Sequence, residues 1–200
     1  AAQALQKIFG DAEDKYFEIA NHYDKAENFE QAAVYYEKAG RYYQKNYKNI
    51  KAVECYNRYL DFAEKLETDK ANIVNVLANK GKILSLIGRW EQAEQVYLKS
   101  IEFAAEINDQ TLLAYRKLDL GRLLQDKGQY KKAMELYKFA KLTAEKNQDQ
   151  QLLAKAVGGI GHMYYYQRNH AEAMEHYEEQ KRIYLKLADR SGYSMALGNM

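Results

Sequence analysis

The chain has 200 residues, no proline, one cysteine (Cys55) and a formal net charge of +2, with 47% hydrophobic and 29% charged residues. That balance is ordinary for a globular protein, and the charge is too small to argue for nucleic acid or an anionic membrane. One cysteine excludes an internal disulfide, and no apolar run approaches the roughly 18 residues of a membrane span. The opening Ala1-Ala2-Gln3-Ala4 lacks the charged start and apolar stretch of a signal peptide, so the cytoplasm is the expected compartment.

Apolar periodicity and turn residues predict ten helices, in chain order near Gly10–Lys25, Phe29–Asn46, Ile50–Leu66, Lys70–Ile87, Trp90–Ile107, Gln110–Lys127, Tyr130–Lys146, Gln150–Gln167, Ala171–Ala188 and Ser191–Met200. The stretch from Asp109 to Asn147 is the clearest. Asp109 suits an N-cap. Leu112, Leu113, Leu120, Leu123 and Leu124 then follow at helical spacing, and Gly128 is able to take a left-handed cap conformation. A second helix carries Tyr130, Ala133, Met134, Leu136, Tyr137 and Ala140. The unit reads as a helix hairpin with a tight turn.

This hairpin recurs. Gly40, Gly81, Gly121, Gly161 and Gly198 form a column spaced by 41, 40, 40 and 37 residues. Twelve residues before the first four stand Asn28, Asp69, Asp109 and Asp149; twelve after them stand Ala52, Ala93, Ala133 and Ala173; four further on stand Tyr56, Tyr97, Tyr137 and Tyr177. A fixed period of this length is the mark of a repeat array. Small residues let two antiparallel helices approach, and large neighbours fill the space beside the contact. The expected division is a half unit at about 1–27, units at about 28–68, 69–108, 109–148 and 149–188, and a partial unit at 189–200, all in one repeat domain. Tyr16, Ala20, Tyr23, Phe29, Ala32 and Tyr36 also read as a first helix running into a second, which leaves two N-terminal phases.

Glycine, a turn seven residues on, then an aromatic, alanine, tyrosine and alanine resembles the tetratricopeptide repeat. Gly121, Gly128, Tyr130, Ala133, Tyr137 and Ala140 carry the likeness best, and Gly81, Gly88, Trp90, Ala93 and Tyr97 repeat it. The period is 40 rather than the family's 34 residues, Asp caps replace its proline, and Arg168 and His170 replace the turn glycine and aromatic of one unit. The stretches 19–26 and 30–36 also resemble repeat regions that follow ATPase modules in bacterial signalling proteins and, less specifically, vesicle-fusion adaptors of the SNAP kind. The resemblance implies an all-α solenoid of stacked antiparallel hairpins wound into a right-handed superhelix. It also implies that the first helix of each unit lines a concave groove, into which the residue after the column glycine projects: Arg41, Lys82, Arg122 and His162. Tyr165 and Tyr166 would add an aromatic floor at the His162 end. The family's carboxylate clamp for C-terminal tails is not reproduced; Asn79 alone matches a fragment of it.

No residue set points to catalysis, a cofactor or a metal. Gly158-Gly159-Ile160-Gly161 lies mid-helix, without the preceding strand or the Lys-Ser/Thr of a phosphate loop, and reads as close helix packing. His162, His170 and His176 lack zinc-ligand spacing. Cys55 precedes a core tyrosine with no base signalled near it, which suits an inert thiol. The bland reading of the basic column is a solvated face, with Glu37 four residues before Arg41 and Asp119 or Asp126 near Arg122. The expected function is a non-enzymatic interaction module whose groove takes an acidic peptide or protein, with no role for nucleic acid or membrane. The alternative is a regulatory or sensor segment of a larger ATPase- or cyclase-linked signalling protein. An array stopping at Leu197-Gly198-Asn199-Met200 also predicts end-to-end self-association.

Overall fold

The computed structural model describes residues 12–66 and 69–200. A 3-10 turn at Glu13–Lys15 precedes ten α-helices: α1 (Tyr16–Lys25), α2 (Phe29–Lys45), α3 (Asn49–Ala63), α4 (Lys70–Leu86), α5 (Trp90–Glu106), α6 (Gln110–Asp126), α7 (Tyr130–Asn147), α8 (Gln150–Tyr166), α9 (His170–Lys186) and α10 (Arg190–Asn199). The described residues contain no strand. The predicted start of the first helix, near Gly10, and the aromatic Phe9 lie outside the described residues. The third helix stops short of the predicted Leu66, because Lys65 and Leu66 both donate to the Phe62 carbonyl and tighten the last turn.

One turn joins almost every helix pair. Glu27, Tyr47, Gly88, Asn108, Gln148, Arg168, Ala188 and Gly128 all have φ between 54° and 78°, the left-handed region. At Gly128 the amide donates to Gln125 O and the next amide, Gln129, reaches back to Leu124 O. Arg168 and Asn169 make the same pair of bonds to Tyr165 O and Tyr164 O, and Ala188 and Asp189 to Leu185 O and Tyr184 O. These bonds satisfy the last carbonyls of the preceding helix. Only two of the eight residues are glycine; the others bear the steric cost of a Cβ in that conformation.

The residue after the turn starts the next helix, and here the helices alternate. Asn28, Asp69, Asp109, Asp149 and Asp189 accept a backbone N–H at the starts of α2, α4, α6, α8 and α10. The starts of α3, α7 and α9 have no side-chain cap.

The chain divides into two compact units, one ending at Phe103 and the other beginning at Ala104, so the division falls within α5. In the first unit α2 and α3 run antiparallel: Phe29 stacks on Phe62 with ring centres 5.3 Å apart, and Gly40 lies against Tyr56. Tyr36 also packs against α1, donating to Asn21 Oδ1 at 2.8 Å and Asp24 Oδ2 at 3.2 Å. In α4 and α5, Gly81 faces Tyr97, and Ser100 Oγ donates to the Val74 carbonyl at 3.0 Å.

In the second unit α6 pairs with α7 through Gly121 and Tyr137, and α8 with α9 through Gly161 and Tyr177. A cluster of Ala154, Val157, Ile183, Tyr184 and Ala196 ties α8, α9 and α10 together. The glycine-rich segment is mid-helix in α8, as predicted, and each glycine has a separate occupant. A Cβ would come within 2.1 Å of Gln180 Nε2 at Gly158, 2.8 Å of the Tyr137 ring at Gly159 and 2.7 Å of the Tyr177 ring at Gly161. Buried Gln180 needs that room, since its amide donates to the Ala154 carbonyl at 3.1 Å. α6 also buries an ion pair, Arg116 Nη2 to Asp119 Oδ2 at 3.3 Å.

Gly198 departs from the column. It stands nine residues after its cap, Asp189, where the other four stand twelve after theirs, and a Cβ there would meet nothing within 4 Å.

Candidate partner-binding surface

The column glycines have a definite job. At Gly40, Gly81, Gly121 and Gly161 a Cβ would come within 2.5, 2.5, 2.9 and 2.7 Å of the ring of the tyrosine sixteen residues later. Tyr56, Tyr97, Tyr137 and Tyr177 are each at most 3% exposed. A glycine against a buried ring fixes how the first helix is rotated, so the next residue along points away from the hairpin core. Arg41, Lys82 and Arg122 are accordingly exposed, and His162 is half-buried.

In the first unit Arg41 Nη2 donates to Glu37 Oε1, the i,i+4 pairing visible in the sequence. The contact is a modest surface pair in energy. Beside exposed Lys82, Ser85 Oγ donates to the Gly81 carbonyl at 2.9 Å, and Leu86, one turn on, is 71% exposed.

In the second unit the corresponding residues stand in a polar and aromatic setting. Burial raises the Asp126 carboxyl above its ordinary pKa, partly opposed by the charge of Arg122. Burial, and then Arg122, hold His162 below its ordinary 6.5. The ring is therefore neutral at pH 7, and the column's fourth member is not a cation there. His162 Nδ1 lies 3.2 Å from the Tyr177 hydroxyl, and the two rings meet edge to face at 5.5 Å.

Tyr165 and Tyr166 are 53% and 47% exposed at the end of α8. Tyr166 stacks on Tyr130 at 4.7 Å, with 10° between the planes. Tyr165 stands edge-on to Tyr166 at 6.0 Å and to His170 at 5.5 Å. The result is an exposed aromatic corner, with two walls close to perpendicular. Burial raises the Tyr137 hydroxyl well above its ordinary pKa, and the charges of Arg122 and Asp126 act on it in opposite directions. Sequence reading missed Tyr130 as a member. It read as the aromatic opening a helix, and the signal was there: α7 starts where antiparallel α8 ends.

The remaining reactive candidates are quiet. Burial pushes the Cys55 thiol up to about 12, far from a thiolate at neutral pH. Half-buried His176 stacks on Tyr164 at 5.3 Å. No group of three His, Cys, Asp or Glu among the described residues is placed to hold a metal ion, and no described helix is long and apolar enough to cross a membrane.

A family model described as tetratricopeptide repeat matches residues 76–109. A comparison with curated proteins gives no match. Among solved structures, the chain is similar to BtubC (BKLC) from P. vanneervenii, with 18% identity, a TM-score of 0.76, and coverage of 94% of this chain and 78% of that one. It is also similar to a Rap protein complexed with competence and sporulation factor, with 18% identity, a TM-score of 0.71, and coverage of 90% of this chain and 56% of that one. The STAND ATPase with a tetratricopeptide repeat sensor from Pyrococcus horikoshii has 19% identity and a TM-score of 0.74, and covers 99% of this chain, which spans only 33% of that protein. At such identities the likeness shows the fold. The chain is a tetratricopeptide-type helical repeat by fold, and its residues 76–109 match the repeat of that family.

Proposed function

We propose that the chain is a non-enzymatic protein-interaction module that takes an acidic peptide or an acidic segment of a partner protein. The observation that carries this reading is the second unit's exposed aromatic corner of Tyr165 and Tyr166, in the same unit as exposed Arg122. Exposed aromatics supply rigid contact area at low entropic cost, and interfaces are enriched in tyrosine and arginine. Arg41, Lys82 and Arg122 would supply steering rather than grip. Each exposed contact adds on the order of 1 kcal/mol or less, and its effect falls with salt. His162 would contribute a hydrogen-bonding group, not a charge, at neutral pH. One similar fold is a Rap protein in complex with a factor, which supports recognition as a use of this architecture.

The test is a binding screen of acidic and basic peptides at low and high salt, repeated with Lys82→Glu, Arg122→Glu and Tyr166→Ala. Acidic peptides should bind preferentially, the charge reversals should weaken them most at low salt, and Tyr166→Ala should cost more than either reversal. Equal binding of acidic and basic peptides would defeat the reading.

A second reading, a sensor segment within a larger signalling protein, is favoured by the STAND ATPase, whose repeat sensor belongs to a chain of which this one spans a third. A nucleotide-binding module encoded in frame with this sequence would support it.

A further inference from the structure

A hollow in the first unit shares Arg41 with the basic column but adds Lys38, Lys45 and two tyrosines that the groove reading does not use. It encloses about 240 Å³ and is lined by Glu13, Tyr16, Lys38, Arg41, Tyr42 and Lys45. Lys38, Arg41 and Lys45 are spaced by three and four residues, so they share one face of α2. Lys38 Nζ lies 5.5 Å from the centre of the Tyr16 ring and 5.0 Å from that of Tyr35. Arg41 is held by Glu37 through Nη2. Tyr42 supplies a second aromatic wall, tilted 54° against Tyr43.

From this arrangement we propose that the hollow is a phosphotyrosine-binding site for a partner peptide; the proposal rests on the interaction-module reading and specifies the ligand of its first unit. Three cations on one helical face exceed the two carboxylates beside them, Glu13 in the lining and Glu37 on Arg41. A phosphate monoester brings close to two negative charges at pH 7 and three acceptor oxygens. Guanidinium and ammonium donors bind such a group through charge-assisted hydrogen bonds. Among the described residues Glu13 lies in the lining and Glu37 offsets Arg41, so Lys38 and Lys45 leave the hollow net positive. Cations in the last turns of α2 also complement the helix dipole. That role does not account for two tyrosine rings facing the same hollow, whereas an aromatic ring carrying the phosphate would pack against them. Among the described residues the lining has no aliphatic side chain to insert into a lipid surface.

The experiment measures fluorescence anisotropy of the full chain with four peptides of one sequence, bearing phosphotyrosine, tyrosine, phosphoserine or glutamate at the central position. The phosphotyrosine peptide should bind at least about tenfold tighter than the other three, the scale of one charge-assisted contact. Lys38→Glu and Lys45→Glu should each remove that advantage while circular dichroism and the melting temperature stay at wild-type values. Affinity should fall as the pH drops from about 7.5 to 5.5, because the phosphate loses its second charge near pH 6. Phosphoserine binding as tightly, or glutamate substituting for the phosphate, overturns the assignment. Acidic-peptide binding that responds to Arg122→Glu but not to Lys38→Glu would leave the general interaction reading standing while this one falls.

Discussion

In the α2–α3 hairpin of the first unit, Tyr56 fills the notch at Gly40 and its hydroxyl donates to Gln44 Oε1 at 2.8 Å. In the α8–α9 hairpin of the second unit, Tyr177 fills the notch at Gly161, but its hydroxyl lies 3.2 Å from His162 Nδ1. The steric joint is the same in both; its polar end is not. An amide cannot titrate near neutrality, while an imidazole held below 6.5 by burial and by Arg122 can. The second hairpin also seats Gln180 against Gly158, where the first has Tyr59 at the position corresponding to Gln180. A shared packing rule therefore leaves the polar positions beside it free to diverge, and those positions are where the two units acquire different surface chemistry.

The largest expected effect removes the ring. Tyr56→Ala and Tyr177→Ala should each cost about 3–5 kcal/mol, the range for deleting a large buried aromatic. Urea unfolding of both variants checks this. A cost near zero for either would show that its ring does not hold the hairpin.

Filling the notch should cost less. Gly40→Ala and Gly161→Ala each gain about 1 kcal/mol of helix propensity, against overpacking of about 1–3 kcal/mol. The Cβ would press on a buried ring rather than on a flexible chain end, so the net change should be destabilising in both, and similar in both. A stabilised variant in one unit alone would break the comparison.

Smaller still are the turns. Ala188→Gly and Arg168→Gly relieve a left-handed φ of 54° and 61°, and should stabilise by about 0.4–1 kcal/mol; Gly128→Ala, at φ 73°, should destabilise by at least as much. Thermal melts of the three variants give the signs.

The smallest effect at neutral pH belongs to His162. Its folded pKa is depressed, so the unfolded chain binds the proton more readily. The stability it contributes is fully present above the ordinary 6.5 and is lost as the pH falls through the depressed folded value. His162→Gln should keep a partner for Tyr177 and flatten that part of the stability curve. Half-buried His176, whose pKa is also lowered by burial, adds a loss of the same sign; Glu179 and Lys141 face it, at 3.7 Å from each other. Tyr56→Phe should leave the pH profile unchanged. A profile as steep in His162→Gln as in wild type would place the titration elsewhere.

Most of the fold was legible. Helix hairpins announce themselves through period; sequence reading set the tyrosines beside the small-residue contact, whereas the structure puts each ring directly against its column glycine. The turn at Gly128 was readable because glycine signals a left-handed residue; the same turn at Glu27, Tyr47, Gln148 and Ala188 was not, since those residues have no such preference and adopt it because the helices on either side demand it. Gly198 shows the opposite error. It keeps the glycine but not the twelve-residue distance from its cap, and distance is what sets which face it occupies.

By itself the sequence determined an array of helix pairs, because a repeat every 40 residues puts the same small and large side chains on the same helical faces each time. The direction of the basic column came only from the family resemblance; the structure shows Arg41, Lys82 and Arg122 exposed and His162 half-buried. Only the tertiary structure decided that burial lowers the His162 pKa, that Tyr130 backs Tyr166, and that Lys38, Arg41 and Lys45 share a hollow with Tyr16. Charge state and ring stacking depend on desolvation and on distances between helices, and neither quantity is carried by residue spacing along one chain.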